Sequence, residues 1–139
     1  MTSSYNDVRS TIESKIATEM ALSPSYPVSY QNVSFSPPNN STWISVSIRF
    51  GSKTYATLIG PSVGKNRQVG TLVVDVYSPI GAGPGANLTV AERLKDLFDR
   101  RTFNGIIFAD ASGPAQVLPA SPEDYFQTQT TITFEAYLE

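Results

Sequence analysis

The clearest period in the chain is two. From Trp43 to Phe50, the residues Ile44, Val46, Ile48 and Phe50 alternate with Trp43, Ser45, Ser47 and Arg49, which predicts a half-buried, antiparallel strand with one apolar face. The alternation returns from Phe126 to Leu138. There Phe126, Ile132, Phe134, Ala136 and Leu138 share one face, with Gln127, Gln129, Glu135 and Tyr137 on the other. Val69 to Tyr77 is apolar on both faces through Leu72, Val73, Val74 and Val76, so this strand belongs at the centre of a sheet. Asp75 interrupts it, and a lone carboxylate in such a strand reads as a partly buried, hydrogen-bonded group.

Two other stretches repeat every three or four residues. Tyr5, Val8, Ile12, Ile16 and Met20 mark a helix from Ser4 to Met20, opened by a capping box of Ser4 and Asp7 and closed before Pro24 and Pro27. Ala91, Leu94, Leu97 and Phe98 mark a second helix from about Val90 to Arg100, for which Thr89 and Glu92 supply a capping box and Arg100 and Arg101 suit the dipole. Val28 to Phe35 contains a short extended piece. Ile106 to Ala109 and Gln116 to Leu118 are expected to pair around Ser112-Gly113. Gly51 to Gln68 reads as a long loop, and Gly81-Ala82-Gly83-Pro84-Gly85 as a flexible connector. The order α-β-β-α-β-β over 139 residues predicts one α+β domain, 1–139: a mixed, mainly antiparallel sheet with two α-helices packed on one face.

Composition narrows the chemistry. The chain has no Cys and no His, which excludes thiolate nucleophiles, disulfides, Cys/His zinc sites and imidazole bases. The acidic residues show no spacing that suggests catalysis, so no catalytic or metal-binding residue is assigned and the chain reads as a non-enzyme. Charged residues are only 16%, against about 25% in ordinary domains, and Ser, Thr, Asn and Gln replace them. No apolar run approaches the roughly 20 residues that span a bilayer, so synthesis in the cytoplasm and no membrane contact are expected. The sequons at Asn32, Asn39, Asn40 and Asn87 are then chance matches.

One nucleotide-binding pattern must be weighed. Gly81, Gly83 and Ala86 satisfy G-x-G-x-x-A between a strand and a helix, with Asp110 about 24 residues beyond. Against it stand Ser78-Pro79-Ile80 between strand and glycines, Pro84 within the turn, and Thr89 as the expected helix cap. No cofactor is therefore expected, and the glycines serve as a strand-to-helix linker with positive φ angles.

The whole order resembles the phage tail terminator, or tail completion, family. The resemblance is carried by the amino-terminal helix, Phe35-Ser36-Pro37-Pro38, Trp43-Ile44-Ser45-Val46, the strand Gly70 to Pro79 with its Gly-rich linker, Ala91-Glu92-Arg93-Leu94 to Leu97-Phe98, and the terminal strand. It implies a homo-hexameric ring in the virion, assembled in the host cytoplasm, that caps the head-proximal end of the tail tube and stops its polymerisation. The implied partners are the tail tube protein, head-completion or neck proteins, and sheath protein where the tail contracts, with DNA only passing through the channel. Another head-tail connector, a stopper or adaptor, is the nearest alternative, and a nucleotide-cofactor-binding domain a distant one.

Charge suggests where such a ring would join. Residues 20–74 contain Arg49, Lys53, Lys65 and Arg67 and no acid after Met20, whereas residues 102–139 contain five acids and no Lys or Arg. Head-to-tail contacts join two different patches, and opposite charge would set their register. The expected contact residues are Lys53, Lys65 and Arg67 against Glu123, Asp124 and Glu135. The competing use of the same loop is docking to the tube through Tyr55, Leu58 and Ile59, some relatives being Gly-rich there.

Overall fold

A computed structural model describes residues 4–38, 40–55, 66–118 and 125–138. The chain runs through α1 (Tyr5–Met20), β1 (Val28–Ser29), β2 (Trp43–Tyr55), β3 (Asn66–Pro79), α2 (Gly85–Phe98), β4 (Thr102–Phe103), β5 (Ile106–Gln116) and β6 (Tyr125–Leu138). The strands form one six-stranded sheet in the order β1-β2-β3-β6-β5-β4. Only the β1–β2 pair is parallel; the other four pairings are antiparallel. Both helices cover the same face, where Val8, Ile12 and Ile16 of α1 and Val90, Leu94 and Phe98 of α2 join Leu72, Val74, Ile132 and Phe134 of the sheet in one core. The fold is the α+β arrangement expected from the hydrophobic periods.

α1 begins as its sequence specifies, with the Ser4 hydroxyl accepting a hydrogen bond from the Asp7 N–H at 3.1 Å. α2 does not. It starts at Gly85, and the residue before it, Pro84, makes no side-chain cap, so Thr89 lies inside the helix and the Thr89–Glu92 box is not its cap. The first turn is held from the sheet instead. The buried Asn87 amide donates to the Val76 carbonyl at 2.9 Å and to Thr128 Oγ1 at 3.2 Å, and its oxygen accepts from the Ser78 hydroxyl. The helix also stops earlier than expected, at Phe98, and Arg100 follows in a left-handed conformation with φ 56°. Arg93 ties α2 to the end of α1 by donating to the Glu19 and Pro24 carbonyls, each at 2.7 Å, which satisfies acceptors that a helix terminus leaves free.

The sheet departs from expectation in two places. The region read as a loop, Gly51 to Gln68, is partly strand, because β2 continues to Tyr55 and β3 begins at Asn66, pairing Lys53 with Gln68 and Tyr55 with Asn66. The register shifts between Phe50 and Lys53. Gln68 fills that bulge: its amide donates to the Gly51 carbonyl at 2.8 Å and its oxygen accepts from Tyr5 Oη at 3.0 Å. The second departure is β5. Ile106–Ala109 and Gln116–Leu118 do not form a hairpin; Ile106–Gln116 is one irregular strand along β6, shifted between Phe108 and Ala111 and again between Ser112 and Ala115. A short hairpin instead joins β4 to β5 through Asn104 and Gly105, both with positive φ.

Gly70 shows why a central strand carries a glycine. A Cβ there would lie 2.4 Å from the Phe134 ring and 3.0 Å from the Arg49 carbonyl. Phe134, packed in turn on Phe50 and Phe108, occupies the missing side chain's space. Gly70→Val is therefore expected to destabilise the fold by about 1–3 kcal/mol or more through overpacking, read as a lowered denaturation midpoint with an unchanged m-value. Asn87→Ala should cost about 1–3 kcal/mol by leaving buried acceptors unsatisfied, and the same urea titration checks it. A midpoint unchanged in Asn87→Ala would mean that the amide does not anchor α2.

Candidate interaction surfaces

The face of the sheet opposite the helices carries Trp43, Ser45 and Ser47 from β2, Thr71, Val73, Asp75 and Tyr77 from β3, and Gln127, Gln129, Thr131, Thr133 and Glu135 from β6, placed side by side by the register. Of its charges, Arg49 is exposed, and the others are held within the subunit. Asp75 accepts from the side-chain amides of Gln127 at 2.9 Å and Gln129 at 3.0 Å, as its position in an apolar strand led one to expect. At one end, Trp43 stacks on Tyr77 at 4.2 Å between ring centroids, with Phe35 and Tyr125 packed around the pair. The alternation places Trp43 on the otherwise polar face, which is the signal in the sequence for this cluster.

The expected contact residues divide into three groups. Lys53 and Tyr55 sit on the exposed distal part of β2, where Tyr55 is 79% exposed. Arg67 and Glu135 lie on neighbouring strands and pair with each other. The pairing of basic with acidic residues foreseen between subunits is thus made, for these two, inside one subunit. Leu58, Ile59, Lys65, Glu123 and Asp124 lie outside the described residues.

A groove that the hydrophobic pattern did not reveal opens at the Pro79 end of β3, away from Lys53 and Tyr55. About 820 Å³ in volume, it lies between the Gly-rich linker and the segments flanking residues 119–124, lined chiefly by Ile80, Pro84, Val117, Leu118, Tyr125 and Phe126. Ile80 and Leu118 are 68% and 77% exposed. None of the described lining residues is Lys, Arg, Asp or Glu. Its only advance sign was the apolar pair Val117-Leu118 between turn-forming residues.

The same geometry bears on the G-x-G-x-x-A pattern. Gly81 and Gly83 have φ of 91° and 82°, the conformation expected of a linker, and α2 does open beside them. The objection based on Thr89 as helix cap therefore falls, but topology replaces it. β6 lies between β3 and β5, and Ala111, next to Asp110, is level with Ile132 and so with Leu72, seven residues short of Pro79. At about 3.3 Å per residue this puts Asp110 roughly 23 Å from the linker end of β3, too far to share a ribose with a pyrophosphate there. Among the described residues no group of three or more acidic side chains could hold a metal ion. No described helix is long and apolar enough to cross a membrane.

Burial, and secondarily the Asp75 carboxylate, push the Tyr77 phenol up to about 12; burial and then Glu13 raise Tyr30 as well. The folded state therefore holds these protons where the unfolded chain has lost them. Stability is full below pH 10 and falls as pH rises from about 10 to about 12. Tyr77→Phe should flatten that decline in urea titrations across the alkaline range, leaving the share of Tyr30. An unaltered slope would show that Tyr77 ionises normally.

No curated protein matches the sequence significantly. A solved protein chain superposes with a TM-score of 0.70 over 96% of this chain and 95% of its own, at 22% identity, a likeness that speaks for the fold alone. The model of the phage tail terminator family matches residues 7–129. That span takes in both helices and nearly the whole sheet, so the chain belongs to the phage tail terminator protein family, a structural family of the phage tail.

Proposed function

We propose that the protein closes the head-proximal end of the tail tube as a ring of six copies, which stops tube polymerisation and offers its other face to the head-completion proteins. The family match over residues 7–129 carries this reading. The surface chemistry supports it. A subunit that must pack against copies of itself and against two different partners needs extensive surface without catalytic function, and the open sheet face, the distal β2–β3 arm and the apolar groove supply three separate areas. The partners are then the tube protein, neck proteins and, where the tail contracts, sheath protein. DNA passes through without being held: the open face is dominated by Ser, Thr and Gln, its Arg67 is already neutralised by Glu135 and Arg49 is a single further cation, whereas DNA binding relies on a dense basic surface.

Electron microscopy of the purified protein mixed with polymerised tube protein tests the proposal. Rings of one size, bound to one end of each tube and halting further growth, are the expected result. Binding to emptied heads with bare tube ends would assign the protein to the stopper or adaptor class instead, and no binding to either would overturn both.

A further inference from the structure

The two lateral edges of the sheet are stepped, and the steps match. On one side β1 pairs only with Ile44 and Ser45, and the Gln31 side chain accepts the Ile48 N–H at 2.8 Å; among the described residues no strand runs outside β2 from Arg49 on. On the other side β4 pairs only with Ile106 and Ile107, and the Arg101 carbonyl accepts the Phe108 N–H at 3.0 Å, so among the described residues no strand runs outside β5 from Ala109 to Gln116. β1 therefore projects at one end of its edge, and β4 projects at the opposite end of the other.

Strand register sets both steps at one height. Arg49 is level with Thr71 and Thr133, and Thr133 faces the bulge of Ala109 and Asp110, which lies between the Phe108–Phe134 and Ala111–Ile132 pairs. Phe103 of β4 is level with Lys53, through Ile106, Ala136 and Gln68. Ser29 of β1 is level with Ala115, through Ser45, Asp75 and Gln129. A rotation about an axis along the strands leaves these heights unchanged, so β4 of one copy fits the recess beside Lys53 of the next, whose β1 fits the recess beside Ala115. We infer that copies of this chain join edge to edge in this way, β4 and β5 of one against β1 and β2 of the next, with Asp110 beside Arg49 where the steps meet.

Shape alone permits a second arrangement, because a stepped edge turned by half a circle about the sheet normal also interlocks with its own copy. Charge decides between them. Arg49 and Asp110 are exposed, and among the described residues neither has an ion-pair partner. Like edges would set Arg49 against Arg49, or Asp110 against Asp110, whereas unlike edges bring the opposite signs together. Asp99, Arg100 and Arg101 lead into β4 with mixed signs, so the preference rests on the two residues at the step. Side chains make the join rather than a continued ladder: β5 is bulged twice and carries Pro114, which has no N–H to donate. Unlike edges meeting head to tail give the type of contact that closes into rings.

This rests on the ring reading above, and the test separates the two. Arg49→Asp and Asp110→Arg, each alone, should lose the rings at concentrations where the wild type forms them, and the double reversal should restore them. Circular dichroism checks that each variant is folded, and mass photometry reads assembly. Ser29→Cys/Ala115→Cys then places thiols on opposite edges, four strand spacings apart in one chain, or about 19 Å, too far for a link within it. The chain has no cysteine of its own, so a thiol cross-linker shorter than that distance should join neighbours into a ladder, in rings or on capped tube ends. Rings from either single reversal, a double reversal that stays monomeric, or assembled protein without the ladder overturns the inference. Single reversals that still form rings and cap tubes overturn it while keeping the terminator reading. Rings that follow the charge swap and the ladder but ignore tube ends keep the inference and sink that reading. A wild-type chain that remains monomeric on tube ends defeats both.

Discussion

The ring of Phe134 fills the space that Gly70 leaves open, and the two strands that meet there, β6 and β3, are paired along their full lengths. This ladder has to be covered on its apolar side. Leu72, Val74 and Val76 from β3 and Ile132, Phe134 and Ala136 from β6 form a stripe that α1 and α2 cover, and burial of such a stripe is the dominant favourable contribution to folding. The rest of the subunit depends on it. β2 and β5 extend the ladder on either side, and Asn87 and Arg93 attach the helices to it and to each other by hydrogen bonds.

Covering one face leaves the other free. The absence of a second helical layer explains why the face bearing Asp75 and Glu135 is rich in Ser, Thr and Gln: those side chains suit a strand surface that must remain hydrated, and the two carboxylates are held by amides or by Arg67. A face whose charges are few, and mostly satisfied locally, has little long-range pull on a polyanion. Apolar side chains are exposed instead at the two ends of the sheet: Tyr55 at one and Ile80 and Leu118 at the other.

Much of the fold was legible in the residue pattern, because the period of apolar positions is a local property. The face assignment of Phe126 to Leu138, the start of α1 at Ser4, the central place of Val69 to Tyr77 and the hydrogen-bonded Asp75 follow from residues only two to four positions apart. So did the family, whose likeness rests on the order of those same elements. Where side chains make their bonds across long sequence separations, the pattern gave no guidance. α2 reaches back to Gly85 because Asn87 bonds to β3 and β6, and Thr89 and Glu92, a persuasive cap in sequence, are overruled by that anchor. Gly51 to Tyr55 is exposed and lacks apolar alternation, yet its pairing with β3 makes it strand.

The candidate site shows the same division. Sequence by itself determined that opposite charges are segregated, that Tyr55 and its neighbours stand apart from the core pattern, and that imidazole and thiolate chemistry are absent. Only the tertiary structure decided that Arg67 and Glu135 neutralise each other within one subunit, since 68 positions separate them in the chain and one strand spacing separates them in the sheet. It alone placed Ile80 beside Leu118 and Phe126 to make a groove. Periodicity reports which side of an element is buried; it carries no record of which distant residues strand register brings together, and the ion pair and the groove of this protein are made of those meetings.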